Sequence, residues 1–526
     1  MNHVTSERSS HKTLLLLGFL GIAALSAWKL AGYIISGDMS GLSYAAILAI
    51  GGGIVIVILK DWRKGLYVFF AWLLFEDFVR KYLGNNIVIY FAKDALAAVL
   101  YLGFFLAYRR KQAASFRPPF LLPLLIFVWF GILQIFNPGS PHFAYGILGA
   151  KLFFYYMPLV FVGYALADSE RAVRRFFFFN VGVIMVIALL GIAQSILGHT
   201  FLNPTNLDAD IRDLATNYRI SPVTGQISYR PTSIFVSTGR YADFLLVALL
   251  LVIGFSGYLL LRRQKGYNGM FLAIALVFGA ILLAAARGTL LWGTGSALIF
   301  IAAFLWGAPW RQREIVRVLR TIQRAALGMV LGFVALMFLF PSELTARLDF
   351  YRETLAPKTG RSDLAVRAWD YPWRNFLGAF DTPRWPYGYG IGTSSLGTQY
   401  VTRIFGAKPV GMGVESGYGT MVIEIGVVGL GLWIIMCAAI VRSAWRVVRK
   451  LKGSPWFPLA FAIFWYAFLL LFPMTFNGMQ PYEDFVLNAY VWLLLGILFR
   501  IPKLASAPQL PAPAMASSPA AFTGIR

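Results

Sequence analysis

Apolar residues fill long uninterrupted runs along this chain, and short clusters of basic residues separate most of these runs. Many of the runs reach about 18 residues, enough for an α-helix to cross a hydrocarbon layer of roughly 30 Å. They are continuous, whereas the strands of a membrane barrel alternate apolar and polar residues. We therefore predict an all-α polytopic membrane protein with about 14 transmembrane helices, near 13–35, 42–59, 65–82, 87–108, 119–136, 145–167, 176–198, 233–261, 270–286, 288–307, 325–340, 420–441, 457–473 and 485–499.

The basic residues indicate how these helices are oriented. If the N-terminus is inside, the loops on that side hold more than half of the 47 Lys and Arg residues, whereas the short outer loops near 36–41, 137–144 and 474–484 hold none. By the positive-inside rule, both termini are expected in the cytoplasm. The first run is longer than the apolar core of a signal peptide, so we expect it to remain as a helix.

Composition narrows the class of protein further. The chain is 58% hydrophobic and 13% charged, with a formal net charge of +24. In a soluble protein such a charge would indicate a nucleic-acid partner. Here the basic inner loops account for it, so the expected partner is the lipid bilayer and no nucleic acid is expected. The single cysteine, Cys437, excludes an intrachain disulfide within the sequence.

Two outer segments, about 199–232 and 341–419, are long for connections between membrane helices, and such segments are usually functional. In the larger one, apolar residues recur at helical spacing over 362–380 and predict an amphipathic helix on the membrane. The glycines of "PYGYGIGTS" indicate a tight turn or a close backbone approach. The transmembrane domain is expected to take 1–500, and the Pro/Ala/Ser-rich tail 501–526 to be disordered in the cytoplasm.

Ionisable residues within or beside spans are functional candidates, because such charges are costly in a membrane. Lys151, Arg240 and Arg287 are all expected near the outer leaflet, where three cations can balance a diphosphate. The alternative is that these side chains only extend to the lipid headgroups.

The stretch "GVESGYGTMVIEIGVVGL" contains two carboxylates, at or within a predicted span. Glu415 precedes the span among glycines, where a general base on the outer side would lie, although a charge that favours the helix N-terminus is the alternative. Glu424 lies within the span and is expected to have a structural role. Since no His, Cys and Asp cluster has the spacing of metal ligands, no metal site and no cofactor are expected.

The segments in order resemble the O-antigen ligase and O-antigen/exopolysaccharide polymerase superfamily. "ARGTLL" is similar to the family's span motif, "SDLAVRAW" to an Arg and Trp element of its large periplasmic loop, and "PYGYGIGTS" to its glycine-rich turn. "VESGYGTMVIEIGVVGLGL" resembles its last motif. "FEDFVRKYL" followed by "IYFAKDALAAVLYL" resembles the exopolysaccharide polymerase branch.

This resemblance implies a GT-C-like glycosyltransferase fold, with the large periplasmic loop between late helices. It implies a polyprenyl-diphosphate-linked oligosaccharide as donor and metal-independent transfer at the periplasmic face of the bacterial inner membrane. Arg287 matches the span motif and Arg367 the loop motif, while Arg240 matches more loosely. The ligases carry a histidine where this chain has Val414-Glu415-Ser416, which favours a polymerase and puts Glu415 in the position of the base.

The sequence thus predicts a polysaccharide polymerase. Glu415 accepts the proton of the attacking hydroxyl, and Arg287, Arg240, Arg367 and Lys151 bind the lipid diphosphate. Outer-segment aromatics such as Trp369, Trp373 and Tyr389 are expected to stack on sugar rings, with membrane anchoring as the alternative. A chain-length regulator and export machinery are the expected protein partners. The alternative functions are an O-antigen-type ligase and a transporter or flippase of lipid-linked glycans.

Overall fold

The computed structural model describes residues 39–84, 87–204, 206–207, 209–220, 225, 227–262, 266–309, 334, 337–338, 341–355, 366–395, 398–408, 410, 414–478 and 481–506. These residues are predominantly helical, with almost no strand, which confirms the all-α prediction. A single antiparallel pair of short strands occurs among them, with Tyr218 opposite Tyr229.

The described elements up to that pair are α1 (Met39–Lys60), α2 (Trp62–Leu83), α3 (Ile87–Arg109), α4 (Leu121–Gln134), α5 (Phe143–Phe154), α6 (Leu159–Leu166), α7 (Glu170–Leu197), α8 (Ala209–Ala215), β1 (Tyr218–Ile220) and β2 (Ile227–Tyr229). The later helices are α9 (Thr238–Leu261), α10 (Tyr267–Leu283), α11 (Arg287–Gly307), α12 (Pro341–Leu355), α13 (Tyr371–Gly378), α14 (Thr398–Phe405), α15 (Gly417–Lys450), α16 (Phe457–Leu469), α17 (Thr475–Asn477) and α18 (Phe485–Ala505). Short π-helical turns take Val366–Asp370 and Leu470–Met474, and 3₁₀ turns take Ala379–Asp381 and Pro481–Glu483.

Eight described helical segments are long and apolar enough to cross a membrane, and each overlaps a predicted span. Their number and composition fit a multi-pass membrane protein. They are Val88–Arg109, Phe143–Leu166, Glu170–Leu197, Thr238–Leu261, Arg287–Gly307, Gly417–Lys450, Phe457–Asn477 and Phe485–Ala505.

The other predicted spans differ from these eight. Two of them, 119–136 and 270–286, correspond to apolar helices of 14 and 17 residues. The span predicted at 42–59 lies within the 22-residue helix α1. The span predicted at 65–82 is the 22-residue helix α2, which carries four charged residues between Glu76 and Lys81. The predicted spans 13–35 and most of 325–340 lie outside the described residues. The total of about 14 spans, the GT-C-like arrangement and the side on which the termini lie therefore stay predictions.

The described chain divides into two compact units. The described residues of Met1–Ala71 and Ala92–Arg110 form the first unit. Within it α1 and α3 approach closely, since a Cβ atom on Gly103 would lie 3.0 Å from the carbonyl oxygen of Ile58. The Trp62 ring also packs edge-on against Phe104, with the ring centroids 5.3 Å apart.

The second unit takes Trp72–Phe91 and the described residues of Lys111–Arg526. Its core is built around α18. In this helix, 83% of an apolar stretch of 18 residues is buried. α18 crosses α6 at two glycines: a Cβ on Gly163 would lie 2.1 Å from Leu493 O, and one on Gly496 would lie 2.1 Å from Val160 O. Small residues let two membrane helices approach this closely.

The outer segment 366–381 departs from the single amphipathic helix predicted over 362–380. Its described part is a π-helical turn, then α13, then a 3₁₀ turn. α13 begins at Tyr371 with Pro372 in its first turn. Proline has no backbone N–H and is tolerated there, but it interrupts a helix that continues from before it.

Candidate functional site

Arg240 lies in the first turn of α9, where the Ser237 hydroxyl accepts from its backbone N–H and caps the helix. Its guanidinium is bound by two carboxylates: Nη1 donates to Asp77 Oδ2 at 2.6 Å, and Nε donates to Asp484 Oδ2 at 2.8 Å. Both acids are distant from Arg240 in the sequence, unlike Asp243, which stands at i+3. Only 21% of the Arg240 side chain is exposed, so the two acids fix the direction of its planar fork.

Asp77 belongs to a group of buried charges at the end of α2. Arg80 Nη1 lies 3.1 Å from Asp77 Oδ1 and 3.9 Å from Glu76 Oε1. The neighbouring Lys81 donates from Nζ to Thr232 Oγ1 and to Ser233 O, each at 2.8 Å. The end of α2 is therefore bonded to the segment that leads into α9.

Lys151 joins the same network through aromatic rings. Its Nζ lies 4.5 Å from the ring centroid of Tyr90 and 4.4 Å from that of Phe91. Tyr90 stacks on Tyr400 at 4.7 Å, and the Arg80 guanidinium lies 5.3 Å from the Tyr90 ring. The Tyr400 hydroxyl in turn accepts from Arg80 Nη2 at 3.2 Å.

These contacts form one chain from Lys151 to Tyr90, Arg80, Asp77 and Arg240. Two of the four predicted diphosphate ligands, Lys151 and Arg240, thus lie in a single network although 89 positions separate them in the sequence. We call this group of residues the cation network. Its other members are Glu76, Lys81, Tyr400 and Asp484.

Arg287 begins α11 after a turn in which Ala285 has a positive φ of 49°. Its guanidinium lies 5.4 Å from the ring of Phe350 on α12. Three residues before Phe350, the buried Arg347 donates to Leu283 O at 3.0 Å and to Tyr229 O at 3.2 Å. α12 is thereby held against the turn from which Arg287 projects.

The cation network and the Arg287 group are joined by the segment 229–233. Arg347 binds the carbonyl oxygen of Tyr229, and Lys81 binds that of Ser233. Four residues span at most about 14 Å even when fully extended. Burial raises the pKa of Tyr229 to about 12, so its hydroxyl keeps its proton and can donate to Ala215 O at 3.0 Å.

Glu415 is exposed and lies one residue before the cap of α15, where the Ser416 hydroxyl accepts from Gly419 N. Its backbone N–H donates to Asn375 Oδ1 of α13 at 3.2 Å. The predicted base therefore lies beside the aromatic segment 366–381. The structure gives no contact between Glu415 and the described part of the cation network.

The segment 366–381 presents two exposed tryptophans. The side chains of Trp369 and Trp373 are 67% and 45% exposed, and their rings are parallel within 9° with centroids 6.4 Å apart. Trp373 also contacts Phe476, at 6.0 Å between centroids. Tyr389, the third predicted sugar-stacking residue, lies elsewhere, in the glycine-rich loop, with the Arg384 guanidinium 5.8 Å from its ring.

The glycine-rich loop, residues 385–395, docks into a break in α15. Gly426 has φ 68° and ψ 179°, so α15 is interrupted there. The backbone N–H of Tyr389 donates to Ile423 O at 2.8 Å, and that of Val427 donates to Trp385 O at 3.1 Å. A Cβ on Gly388 would lie 2.3 Å from Glu424 O. The predicted close backbone approach at these glycines is confirmed.

Glu424 is fully buried, and its Oε1 accepts from Ser394 N at 2.8 Å and from Ser395 Oγ at 2.5 Å. These bonds fit the structural role expected for it. Arg367 lies in the π-helical turn Val366–Asp370, and its side chain is outside the described residues. Its predicted role therefore stays a prediction.

Sequence reasoning missed part of the cation network. Asp77, Arg80 and Lys81 stand in "FEDFVRKYL", a stretch that served only as a sign of resemblance. The sequence does single them out, since four charged residues in a six-residue stretch inside a predicted span are unusual. Asp484 and Arg347 gave no such signal, because they are ordinary charged residues of outer segments in the sequence.

No cluster of three His, Cys, Asp or Glu side chains that could hold a metal ion occurs in the part of the chain that the structure describes. Comparison with protein-family models found no match, and comparison with curated proteins found none either. The function is therefore inferred from the cation network and its surroundings.

Proposed function

We propose that this protein is a membrane glycosyltransferase that polymerises a polysaccharide. It transfers a polyprenyl-diphosphate-linked glycan onto a lipid-linked repeat unit at the periplasmic face of the bacterial inner membrane. The observation that carries this proposal is the cation network, which gathers Lys151, Arg80 and Arg240 at the ends of apolar helices. Charges are costly in that position unless they serve a site.

In this reaction the negative charge develops on the departing lipid diphosphate, and preorganised cations stabilise it. Arg240 is preorganised, since Asp77 and Asp484 hold Nη1 and Nε. Its Nη2 group then remains for a phosphate oxygen. Lys151 and, from the adjoining group, Arg287 supply further positive charge.

The acceptor is a sugar hydroxyl of the incoming repeat unit. Its oxygen forms a bond to the anomeric carbon while the bond from that carbon to the diphosphate breaks. Glu415 takes the hydroxyl proton, and the lipid diphosphate leaves with the bonding electrons. A general base of this kind contributes about 10²–10⁴-fold to the rate. Trp369 and Trp373 offer exposed ring faces near Glu415 on which a sugar can stack.

An apolar groove of about 490 Å³ is suited to the lipid part of such a substrate. It runs from Trp465 on α16, along the π-helical turn Leu470–Met474, to Phe476 on α17, which is roughly 16 Å at the helical rise of about 1.5 Å per residue. Tyr418 lines it three residues after Glu415, and Phe476 lines it while contacting Trp373. A prenyl chain in this groove would hold its diphosphate near the candidate base.

The test is Arg287→Ala in cells that lack the native copy. We expect loss of long-chain polysaccharide with the protein still inserted in the membrane. Arg287→Lys should restore only part of it, because the bidentate fork is lost. The matched control is Arg262→Ala, which removes an arginine paired with Glu170 at the other end of α9. Normal chain length in Arg287→Ala cells would contradict the proposed anion site.

A further inference from the structure

Two buried acids meet at the hydroxyl of Ser395, the last residue of the glycine-rich loop. Ser395 Oγ lies 2.5 Å from Glu424 Oε1 and 3.0 Å from Glu483 Oε1. Glu424 is 0% exposed and Glu483 is 1% exposed. The three residues come from α15, from the turn Pro481–Glu483 and from the loop itself, so this contact joins three separate elements.

The number of available protons limits the protonation states that Ser395, Glu424 and Glu483 can take together. A serine hydroxyl carries one proton and donates once, whereas an ionised carboxylate only accepts. Ser395 can therefore donate to Glu424 or to Glu483, and the other contact needs a proton that comes from the acid. If both acids were ionised, one acid oxygen would face a hydroxyl lone pair. Two carboxylates in one buried site do not both ionise readily, and they titrate as a pair.

We infer that Glu424 and Glu483 share one proton through Ser395, and that this triad positions the glycine-rich loop for glycosyl transfer. The positioning role rests on the proposed function. Glu424 Oε1 also accepts from Ser394 N at 2.8 Å, so the carboxyl of Glu424 fixes two successive loop residues beside the break at Gly426. Loss of the proton would replace one of the bonds at Ser395 by repulsion.

The triad also reaches the cation network along the chain. Glu483 is followed directly by Asp484, which caps α18 by accepting from Val486 N and holds Arg240 Nε at 2.8 Å. The turn Pro481–Glu483 and its next residue therefore link the glycine-rich loop to Arg240. A displacement of Glu483 is expected to shift Asp484 and with it the arginine fork.

Two phenols, a lysine and an aspartate are titratable groups on the elements around the triad. Tyr482 lies in the same turn, and burial beside Glu483 and Glu424 raises its pKa above the ordinary range, so it stays neutral. Tyr418 approaches from α15. The helix α5, which packs on the turn, carries Lys151 over the rings of Tyr90 and Phe91. Asp484 follows Glu483 directly in the chain and binds Arg240.

The shared proton is tested by infrared spectroscopy of the purified full-length protein at neutral pH. A protonated carboxyl has a carbonyl band that shifts in D₂O and that ionised carboxylates lack. Both Glu424→Gln and Glu483→Gln should lose the same band, because removal of either acid lets the other ionise. Glu170→Gln, which changes an acid paired with Arg262, should retain it. A band unchanged in both variants, or lost in only one of them, overturns the shared proton.

Chain elongation from lipid-linked repeat units tests the positioning role. Each single glutamine variant keeps one negative charge and an amide that can bond Ser395, so both should elongate as the wild type does. Glu424→Ala and Glu483→Ala should lose elongation at unchanged membrane abundance. Equal activity in all four variants overturns the positioning role. If the wild type itself does not elongate, the proposed function fails, while the infrared result still decides the shared proton.

Discussion

The break in α15 gives a quantitative prediction, because one glycine makes it. Gly426 has φ 68° and ψ 179°, a conformation that only glycine adopts readily. In Gly426→Ala the new Cβ would also lie 2.3 Å from Pro386 O in the docked glycine-rich loop. The substitution therefore strains the backbone and pushes the loop away at once.

The size of the effect follows from these two contributions. A non-glycine residue in such a region costs about 1–3 kcal/mol, and forcing an extra carbon into a packed site costs about 1–3 kcal/mol. We expect Gly426→Ala to lower the free energy of unfolding by about 2–6 kcal/mol. Gly431→Ala is the matched control in the same helix, since no atom lies within 4 Å of its new Cβ. It should raise stability by about 0.8–1 kcal/mol.

Unfolding of the purified protein in mixed detergent, followed by tryptophan fluorescence, measures both variants side by side. We expect the changes in the free energy of unfolding to have opposite signs, although the two substitutions are chemically identical and lie five positions apart on one helix. If Gly426→Ala unfolds at the wild-type detergent fraction, the glycine-rich loop does not dock into α15 as described. A destabilised Gly431→Ala would show instead that any added methyl group in α15 disturbs the fold.

Two further predictions concern the candidate site. Asp77→Asn removes one carboxylate from the buried pair with Arg240, whose atoms lie 2.6 Å apart. It should lower the free energy of unfolding by about 3–5 kcal/mol. An unfolding curve equal to that of the wild type would show that the pair does not stabilise the fold. Glu415→Gln should lower the turnover number by about 10²–10⁴-fold and leave KM for the lipid-linked donor nearly unchanged, because a base acts in the transition state; an unchanged turnover number would remove Glu415 from that role.

Much of the fold follows from the apolar runs alone. The eight long apolar helices each fall on a predicted span, since twenty apolar residues have few alternatives in a membrane. The glycine-rich turn was also predictable, because glycine adopts a positive φ readily. Gly388, Gly390 and Gly392 all have a positive φ. The helix α9 begins five residues after the predicted start at 233, because the apolar residues Ile234, Phe235 and Val236 belong to a loop.

The site was less predictable, because long-range pairing decides it. Arg240 has Asp243 at i+3, yet it pairs with Asp77 and Asp484, residues 163 and 244 positions away. The same holds for Glu424, whose contact with Glu483 runs through a serine of a third segment. Periodicity and local spacing carry no information about such partners, whereas the folded chain brings them into contact.

Polymerase activity is tested most directly by glycan elongation with the purified protein, in liposomes that contain lipid-linked repeat units and no other acceptor. We expect glycan chains of increasing length, still bound to the lipid diphosphate, with wild-type protein and not with Arg287→Ala. Single repeat units that remain unchanged, or that only cross the bilayer, would contradict a polymerase. Transfer that begins only after another acceptor is added would identify a ligase instead.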